Sequence, residues 1–308
     1  MRAAARWLTT RLSPRFRRRR HRRPTPGQRS LDESLHRLQL QTRRLLSGRT
    51  GGTVVGAMLG SGLDFREVRP YAEGDDVRHF DWRVTARAGS PYVRLYDDEQ
   101  TRPIAFLIDQ SASMAFGTQA ASKSEVAVET ASVLAEVAVA SGLAVSFEID
   151  GRGVDYAAAT RPDVQRRLRT RVFDGPDTLS GDLTGWARRT ASPATLVVLT
   201  DTHVRLSAAA LRPVATRHEV WLLLVIDPAE VELPRAGVVR VTDRETGASQ
   251  WLDTQSATVR RQYEQQATER LRQLRRAAAE AGVCIVPLPT DRSVVDNLRR
   301  GFDRPVQP

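Results

Sequence analysis

The chain has 308 residues, of which 41% are apolar, 47 are basic, 36 are acidic and one is a cysteine. This apolar fraction supports a folded core and excludes disorder over the whole length. The single cysteine excludes a disulfide framework and a zinc site built on cysteine pairs. The longest apolar run, 220–226, is too short to cross a bilayer, so we expect a cytoplasmic protein without a transmembrane segment.

The net charge of +11 is concentrated at one end of the chain. Residues 1–49 contain fifteen arginines against Asp32 and Glu33, whereas the remaining 259 residues have a net charge of −2. We therefore predict a disordered basic arm at 1–29. Two interpretations of this arm stay open: a solvated tail, or a segment that binds the phosphates of a membrane surface or of nucleic acid nonspecifically. The slightly acidic body argues against nucleic acid as its partner.

Residues 30–100 are predicted to form a helix followed by a β-rich segment that packs on a larger domain at 101–303. Ser30 and Glu33 have the spacing of a capping box at the start of a helix. Leucines follow at near-helical spacing, so one apolar face of this helix is available for docking.

From residue 101 onward the sequence alternates between short apolar runs and helical patterns. The runs at 104–108, 143–149, 195–200 and 220–226 predict strands buried on both faces. Such alternation is typical of an α/β fold, here a doubly wound, mostly parallel sheet with helices on both faces.

Glycines and turn residues mark the boundaries of the remaining elements. Gly151 and Gly153 are expected to end the second of these strands. Turn-rich sequence farther along predicts a β-hairpin insertion at about 231–254. A long helix at 256–281, closed by Gly282, and then a further strand and helix complete the predicted domain.

Two of the buried strands are followed directly by an aspartate, and this placement is the first indication of a site. Asp109 and Asp201 come after the runs at 104–108 and 195–200. Since the carboxyl ends of parallel strands share one edge of the sheet, both side chains are expected at the edge where α/β proteins bind ligands. The turn after the first strand, Asp109-Gln-Ser-Ala-Ser113, offers one carboxylate and two hydroxyls at alternate positions. Such oxygen ligands suit Mg²⁺ or another hard divalent cation.

An α/β sheet whose first strand ends in Asp-x-Ser-x-Ser resembles the von Willebrand factor type A domain and its metal-ion-dependent adhesion site. The sequence resembles more closely a bacterial group, the domain-of-unknown-function family fifty-eight, which is associated with MoxR-type AAA+ ATPases. The stretches that carry this second resemblance are Asp64-Phe65, Arg69, Tyr71, Gly74–Arg78, Asp81–Arg83, Ala86-Arg87, Asp227–Glu230, Leu233-Pro234, Asp243–Gly247 and Thr290–Arg292.

The resemblance implies a set of metal ligands at matching positions of this chain. Asp109, Ser111 and Ser113 match the first motif of the adhesion site, and Asp201 matches the last. The family's threonine ligand between them corresponds here to Gly181, so one expected ligand is missing. Thr178 and Asp182 are the two candidates to replace it.

The resemblance further implies a non-enzymatic, metal-dependent protein-interaction module. Its expected partners are a MoxR-type AAA+ ATPase and an unknown client protein that the pair matures or remodels. The main alternative is a hydrolase that uses Asp109, because aspartyl-phosphate enzymes also begin with an aspartate after a buried strand. These enzymes need a second acid two residues on, where this chain has Ser111. The chain also lacks a Gly-x-Ser-x-Gly elbow and a Walker-type loop.

Overall fold

A computed structural model describes residues 65–72, 81–96, 102–157, 159–244 and 247–303. The predicted basic arm at 1–29 and the helix expected to begin at Ser30 lie outside these residues. The strands described are β1 (Phe65–Pro70), β2 (Tyr92–Tyr96), β3 (Ile104–Ile108), β4 (Val145–Ile149), β5 (Arg152–Asp155), β6 (Thr195–Thr200), β7 (Glu219–Ile226), β8 (Val238–Thr242), β9 (Ser249–Asp253) and β10 (Cys284–Pro289). The helices described are α1 (Trp82–Ala88), α2 (Lys123–Ala140), α3 (Arg161–Thr170), α4 (Leu179–Arg189), α5 (Ala208–Ala215), α6 (Pro228–Val231), α7 (Ala257–Ala281) and α8 (Val294–Asp303), with a 3-10 turn at Ala112–Ala115.

Six of these strands form one sheet, in the order β10-β7-β6-β3-β4-β5. All neighbouring pairs are parallel except β4 and β5, which are antiparallel. The chain adds strands on one side of β3 and then returns to add β6, β7 and β10 on the other side. The direction of winding therefore reverses between β3 and β6, which makes this the switch point where such sheets bind ligands. The arrangement confirms the predicted doubly wound, von Willebrand factor type A-like fold.

The core has two layers, because successive side chains of each central strand point to opposite faces of the sheet. On β3, Ile104 and Phe106 belong to the core layer that contains residues of α2, α3 and α8, whereas Ala105 and Leu107 belong to the layer with residues of α4, α5 and α7. Every residue of β3 and β6 is buried. Helices on both faces thus explain the uninterrupted apolar runs that identified these strands.

The strand predicted at 143–149 ends at Ile149, as expected, but the strand that follows it was missed, because the chain turns at Asp150 and Gly151 and pairs back on β4. Asp150 and Gly151 have φ angles of 52° and 71°, as the two central residues of a type I′ hairpin turn require. Ile149 pairs with Arg152 across this turn. The glycine-rich segment is therefore the antiparallel edge strand β5, whose side chains are mostly exposed.

The predicted hairpin insertion is confirmed as β8 and β9, which pair antiparallel. Leu233, Val239 and Val241 pack against Tyr263 and so attach the hairpin to α7. Helix α7 itself begins after the N-cap Ser256 and ends at Gly282, which has the left-handed conformation typical of a helix C-cap.

The family stretch Asp81-Trp82-Arg83 forms the start of a helix. The Asp81 carboxylate accepts hydrogen bonds from the backbone N–H groups of Arg83 and Val84, at 2.9 and 3.1 Å. The side chain of Thr85 then accepts the N–H of Tyr92 at 2.9 Å and connects α1 to β2. Asp81 and Thr85 therefore fix the start of α1 and its connection to β2. Residues 73–80, which include the Gly74–Arg78 stretch, lie outside the described part.

A buried histidine at the start of β7 gives a prediction about stability. The His218 side chain is only 3% exposed and packs edge-on against Trp186, with ring centroids 4.6 Å apart. Neither ring nitrogen has a hydrogen-bond partner among the residues that the structure describes. Burial, together with the positive charge of Arg217, lowers the pKa of His218 below its ordinary value of 6.5. Because the unfolded chain then binds a proton more readily, the neutral ring loses its stabilising effect as the pH falls below 6.5.

We therefore expect His218→Phe to lose less stability than the parent chain between pH 7.5 and pH 5. Phenylalanine keeps the contact with Trp186 but has no group that titrates. Chemical denaturation at both pH values measures the difference. Equal losses in the parent chain and His218→Phe would contradict the prediction.

Candidate functional site

Both predicted aspartates lie at the switch point of the sheet. Asp109 directly follows β3 and Asp201 directly follows β6, and both side chains are buried. The N–H of Asp109 donates to the carbonyl of Leu199 at 2.9 Å, so the parallel pairing continues to the last residues of the two strands. The sheet register therefore brings the two carboxylates to the same edge, as expected from the sequence.

The Asp109 carboxylate is held by two donors and is costly to ionise. One oxygen accepts the N–H of Ser111 at 2.8 Å, and the other accepts the hydroxyl of Thr200 at 2.6 Å. Burial and then the nearby Asp201 carboxylate raise the pKa of Asp109 from 3.8 to about 6, against the opposing effect of these hydrogen bonds. Positive charge placed beside Asp109 would remove this cost.

The two serines of the motif connect the two aspartates. Ser111 and Ser113 are both buried, and their hydroxyl oxygens are 3.0 Å apart. A 3-10 turn carries Ser113, and a backbone bridge to Gly175 fixes Ser111 from the other side. A hydrogen bond from Ser113 also helps to lower the pKa of Asp201. The structure thus brings together the four residues predicted from the motif.

Asp201 already has partners for both of its oxygens. One accepts the N–H of His203 at 2.8 Å, and the other contacts the ammonium group of Lys123. Burial alone would raise the pKa of Asp201, but the Lys123 ammonium, with smaller contributions from His203 and Ser113, holds it well below its usual range. Asp201 is therefore an ionised, fixed carboxylate.

Lys123 and Glu230 also belong to the site, although no local sequence pattern indicated them. Lys123 Nζ contacts Asp201 and lies 2.6 Å from Oε1 of Glu230, and the same oxygen is 3.3 Å from Nε2 of His203. Burial would lower the pKa of Lys123, but the carboxylates of Asp201 and Glu230 raise it above its ordinary value. The sequence does contain features that could have drawn attention to both residues. Lys123 is the sole lysine beside 46 arginines, and Glu230 lies in one of the stretches that carry the family resemblance.

The loop before α2 explains how Lys123 reaches the site. The helix begins at Lys123 because Ser122 and Glu125 form the predicted capping box. The N–H of Lys123 donates to the carbonyl of Phe116 at 2.8 Å and closes the loop. At Gly117 a Cβ atom would lie 2.6 Å from the Cα atom of Ser122, so only glycine allows this approach.

Thr178 and Asp182, the two candidates to replace the missing ligand, form a hydrogen bond with each other. Thr178 is the N-cap residue of α4, and its hydroxyl donates to the Asp182 carboxylate at 2.8 Å in an exposed position. Helix α4 begins at Leu179, so Gly181 lies in its first turn. A side chain at Gly181 would have open space around its Cβ atom.

A cation at this site would depend on hydroxyl ligands. Among the residues that the structure describes, no three His, Cys, Asp or Glu side chains are grouped as a metal site. Asp109, Ser111 and Ser113 nevertheless supply one carboxylate and two neutral oxygens, which suit a hard divalent cation. The carboxylates of Asp201 and Glu230 face the Lys123 ammonium and the Arg270 guanidinium. The Asp109 carboxylate lies near Asp201 and adds a third negative charge when it is ionised, so a divalent ion would meet a net negative charge at this site.

Comparison with known proteins identifies the family. The model of the family described as "Protein of unknown function DUF58" matches residues 67–273. The chain belongs to the DUF58 family. This family is the one that the sequence resemblance indicated, and its matched range includes all the site residues described above.

The relatives of this DUF58 chain are uncharacterised proteins. It is 29% identical over 280 residues to "Uncharacterized protein Rv1480" of Mycobacterium tuberculosis, which covers 88% of each chain. A 90-residue match to "Uncharacterized protein MAV169" of Mycobacterium avium is 34% identical and covers 29% of this chain and 53% of that protein.

Solved structures overlap with the DUF58 chain in part. An aerotolerance-related membrane protein from Bacteroides fragilis is 14% identical, with a TM-score of 0.39, over 66% of this chain and 98% of that one. A von Willebrand factor type A structure from Catenulispora acidiphila is 11% identical, with a TM-score of 0.38, over 68% of this chain and 43% of that one. In the described part of the DUF58 chain, no helix combines the length and the apolar character needed to span a membrane.

Proposed function

We propose that this DUF58 protein is a non-enzymatic protein-interaction module that binds its partner through a divalent cation. The observation that carries the proposal is the buried group at the switch point, where Asp109, Ser111 and Ser113 present oxygen atoms beside an excess of carboxylate charge. The cation is Mg²⁺ or a similar ion, held by these three residues, and Asp201 supplies further negative charge.

The ligand set favours recognition of an acidic group. With only one carboxylate among the three proposed direct ligands, the ion keeps part of its positive charge. A carboxylate from a partner protein would be an attractive further ligand. The proposed chemistry of the ion is therefore to link two proteins, and no bond is broken.

The proposed partner is a MoxR-type AAA+ ATPase, together with a client protein that the pair matures or remodels. Support for this partner comes from the family resemblance alone. Support for a non-catalytic role comes from the site: Ser111 occupies the place of the second acid of aspartyl-phosphate enzymes, and Ser111 and Ser113 bond to each other.

Cation binding is expected to stabilise the protein against heat. A ligand at about one hundred times its dissociation constant adds about 2.7 kcal/mol to the free energy of unfolding. Thermal melting in Mg²⁺ or Mn²⁺ against EDTA measures this effect. Ser113→Ala removes one hydroxyl ligand and should reduce the shift, whereas Ser141→Ala, at the far end of α2, should leave it unchanged. Identical melting in EDTA and in both metals would refute cation binding.

Gly181→Thr offers a test in the opposite direction. The position has room for a side chain, and threonine would restore the hydroxyl that the family places there. We expect tighter Mn²⁺ binding by this variant in a titration, with Gly185→Thr as a control elsewhere on the same helix.

The partner is tested by capture of a purified MoxR-type ATPase from the same organism on the immobilised full chain. The proposal predicts binding in Mg²⁺ that EDTA and Asp109→Ala both abolish. Binding that is unchanged by EDTA and by Asp109→Ala would show that the cation is not needed for the interaction. Phosphatase or esterase turnover that disappears in Asp109→Ala would favour the hydrolase instead.

A further inference from the structure

The sole lysine of the chain is fully buried at the candidate site. Lys123 has 0% exposure and donates to two carboxylates, those of Asp201 and Glu230. Its ammonium also lies 5.8 Å from the centre of the Phe116 ring. A buried charge of this kind is expensive unless partners of opposite charge surround it. A group of apolar residues in place of all three charged side chains would often be no less stable, so the presence of Lys123 calls for a specific role.

Glu230 is itself held in place by two neighbouring contacts on α6. The carboxylate of Asp227 accepts the N–H of Ala229 at 2.9 Å at the start of this short helix. The hydroxyl of Tyr263 on α7 donates to the carbonyl of Ala229 at 2.6 Å. Glu230 is therefore a fixed partner for Lys123, and its burial at 2% exposure leaves it no alternative in solvent.

We propose that Lys123, oriented by Glu230, is a positioning residue that holds the Asp201 carboxylate in the geometry of the divalent-cation site. This inference rests on the proposed function. Lys123 does not touch the ion; it acts through Asp201. Residues outside the direct ligands of a metal site commonly change metal affinity by roughly 10- to 100-fold when they are replaced.

Two possible roles of Lys123, as a positive charge alone or as a positioning residue, predict opposite effects of its removal on the affinity for a divalent cation. If Lys123 acted only as a positive charge, Lys123→Met would strengthen the binding of a divalent cation, since repulsion is lost. If it positions Asp201, the same variant binds the cation more weakly, although the site has become more negative. The double variant Lys123→Met with Glu230→Gln keeps the native net charge, so charge alone predicts native affinity.

Titration of the full-length variants with Mn²⁺ distinguishes the two cases. We expect binding weakened roughly 10-fold or more in both Lys123→Met and the double variant. Circular dichroism establishes that each variant is folded, and the double variant leaves no uncompensated charge on residue 230. Native or tighter affinity in the folded double variant would overturn the proposal.

The parent chain provides a second test that needs no replacement of Lys123. Labelling with [¹⁵N]lysine gives a single Nζ signal, because the chain has one lysine. We expect this ammonium signal to be visible at neutral pH without metal, since both carboxylate contacts protect it from exchange. Sub-stoichiometric Mn²⁺ should broaden it, and excess Mg²⁺ should restore it. In Asp109→Asn the signal should remain and the broadening should disappear.

The outcomes separate this inference from the function on which it rests. If the parent chain binds no cation in melting or titration, the proposed function fails, and the positioning role fails with it. If the parent chain binds Mn²⁺ but the Nζ signal is absent without metal, or stays sharp with it, only the role of Lys123 is refuted.

Discussion

Replacement of Asp109 by asparagine is expected to raise the melting temperature of the cation-free protein at pH 7.5 by roughly 6–12 °C. The cause is the buried charge: burial and the Asp201 carboxylate raise the pKa of Asp109 from 3.8 to about 6. A difference of this size corresponds to about 3 kcal/mol of destabilisation once the carboxyl is ionised. Asparagine has no charge, its oxygen can accept the N–H of Ser111, and its NH₂ group can donate to Thr200, whose hydroxyl also accepts.

The pH dependence of this effect has a defined sign. Between pH 3.8 and about 6 the folded chain holds a proton on Asp109 that the unfolded chain has released. The stabilising effect of that proton is complete below 3.8 and is lost as the pH rises through 6. The advantage of Asp109→Asn should therefore be small at pH 4 and reach its full value above pH 7.

Calorimetry in EDTA at pH 4, 6 and 7.5 measures the difference in melting temperature between the parent chain and Asp109→Asn. The same series with Mg²⁺ shows how much a cation stabilises each protein. A bound cation should stabilise the parent chain and leave Asp109→Asn almost unaffected. If Asp109→Asn were less stable than the parent in EDTA at pH 7.5, the ionised carboxylate would have to be stabilised by its surroundings.

Asp227→Asn is expected to lower the free energy of unfolding by about 3 kcal/mol, because this buried carboxylate joins three segments. It accepts the N–H of Thr118 at 2.7 Å and the hydroxyl of the same residue at 2.5 Å. It also accepts the N–H of Ala229 at 2.9 Å and the hydroxyl of Thr290 at 3.2 Å. An NH₂ group in place of one oxygen leaves a donor facing a donor, and hydrogen bonds to charged groups contribute about 1.5–3 kcal/mol each.

A matched control follows β4. Asp150 is 69% exposed and pairs with Arg167 and Arg171 at the surface. Asp150→Asn should cost less than about 1 kcal/mol, since surface ion pairs are weak, and asparagine tolerates the left-handed backbone at this position. Urea denaturation of both variants gives the comparison. Similar losses of unfolding free energy in the two variants would mean that the contacts of Asp227 stabilise the protein no more than those of a surface aspartate.

Features that depend on local pattern were predictable from the sequence. The bare apolar runs of β3 and β6 identified strands buried on both faces, and the rules of parallel sheets then placed Asp109 and Asp201 at one edge. Strand β5 was missed because a type I′ turn allows Gly151 to continue a sheet through a hairpin. Whether the chain leaves the sheet at this glycine or returns as a hairpin depends on pairing with β4 rather than on the glycine itself.

Contacts between distant segments could not be predicted in this way. Lys123 and Glu230 are 107 positions apart, and no local sequence pattern predicts that a residue of α2 contacts a residue of α6. The rarity of lysine in this chain was a usable signal, but composition does not indicate which carboxylates a lysine contacts. Asp227 was noted as part of a family stretch, yet its contacts with Thr118 and Thr290 required the fold.

The burial of Lys123 also determines which chemistry can be used on the native protein. Amine-directed reagents, such as succinimidyl esters and the usual cross-linkers, will find only the α-amino group, because the one ε-amino group of the chain has no exposed surface. Cross-linking surveys based on lysine would therefore miss the contacts of this protein with its partners. Reagents that react with carboxylates, or photoreactive groups, are the appropriate means to map them.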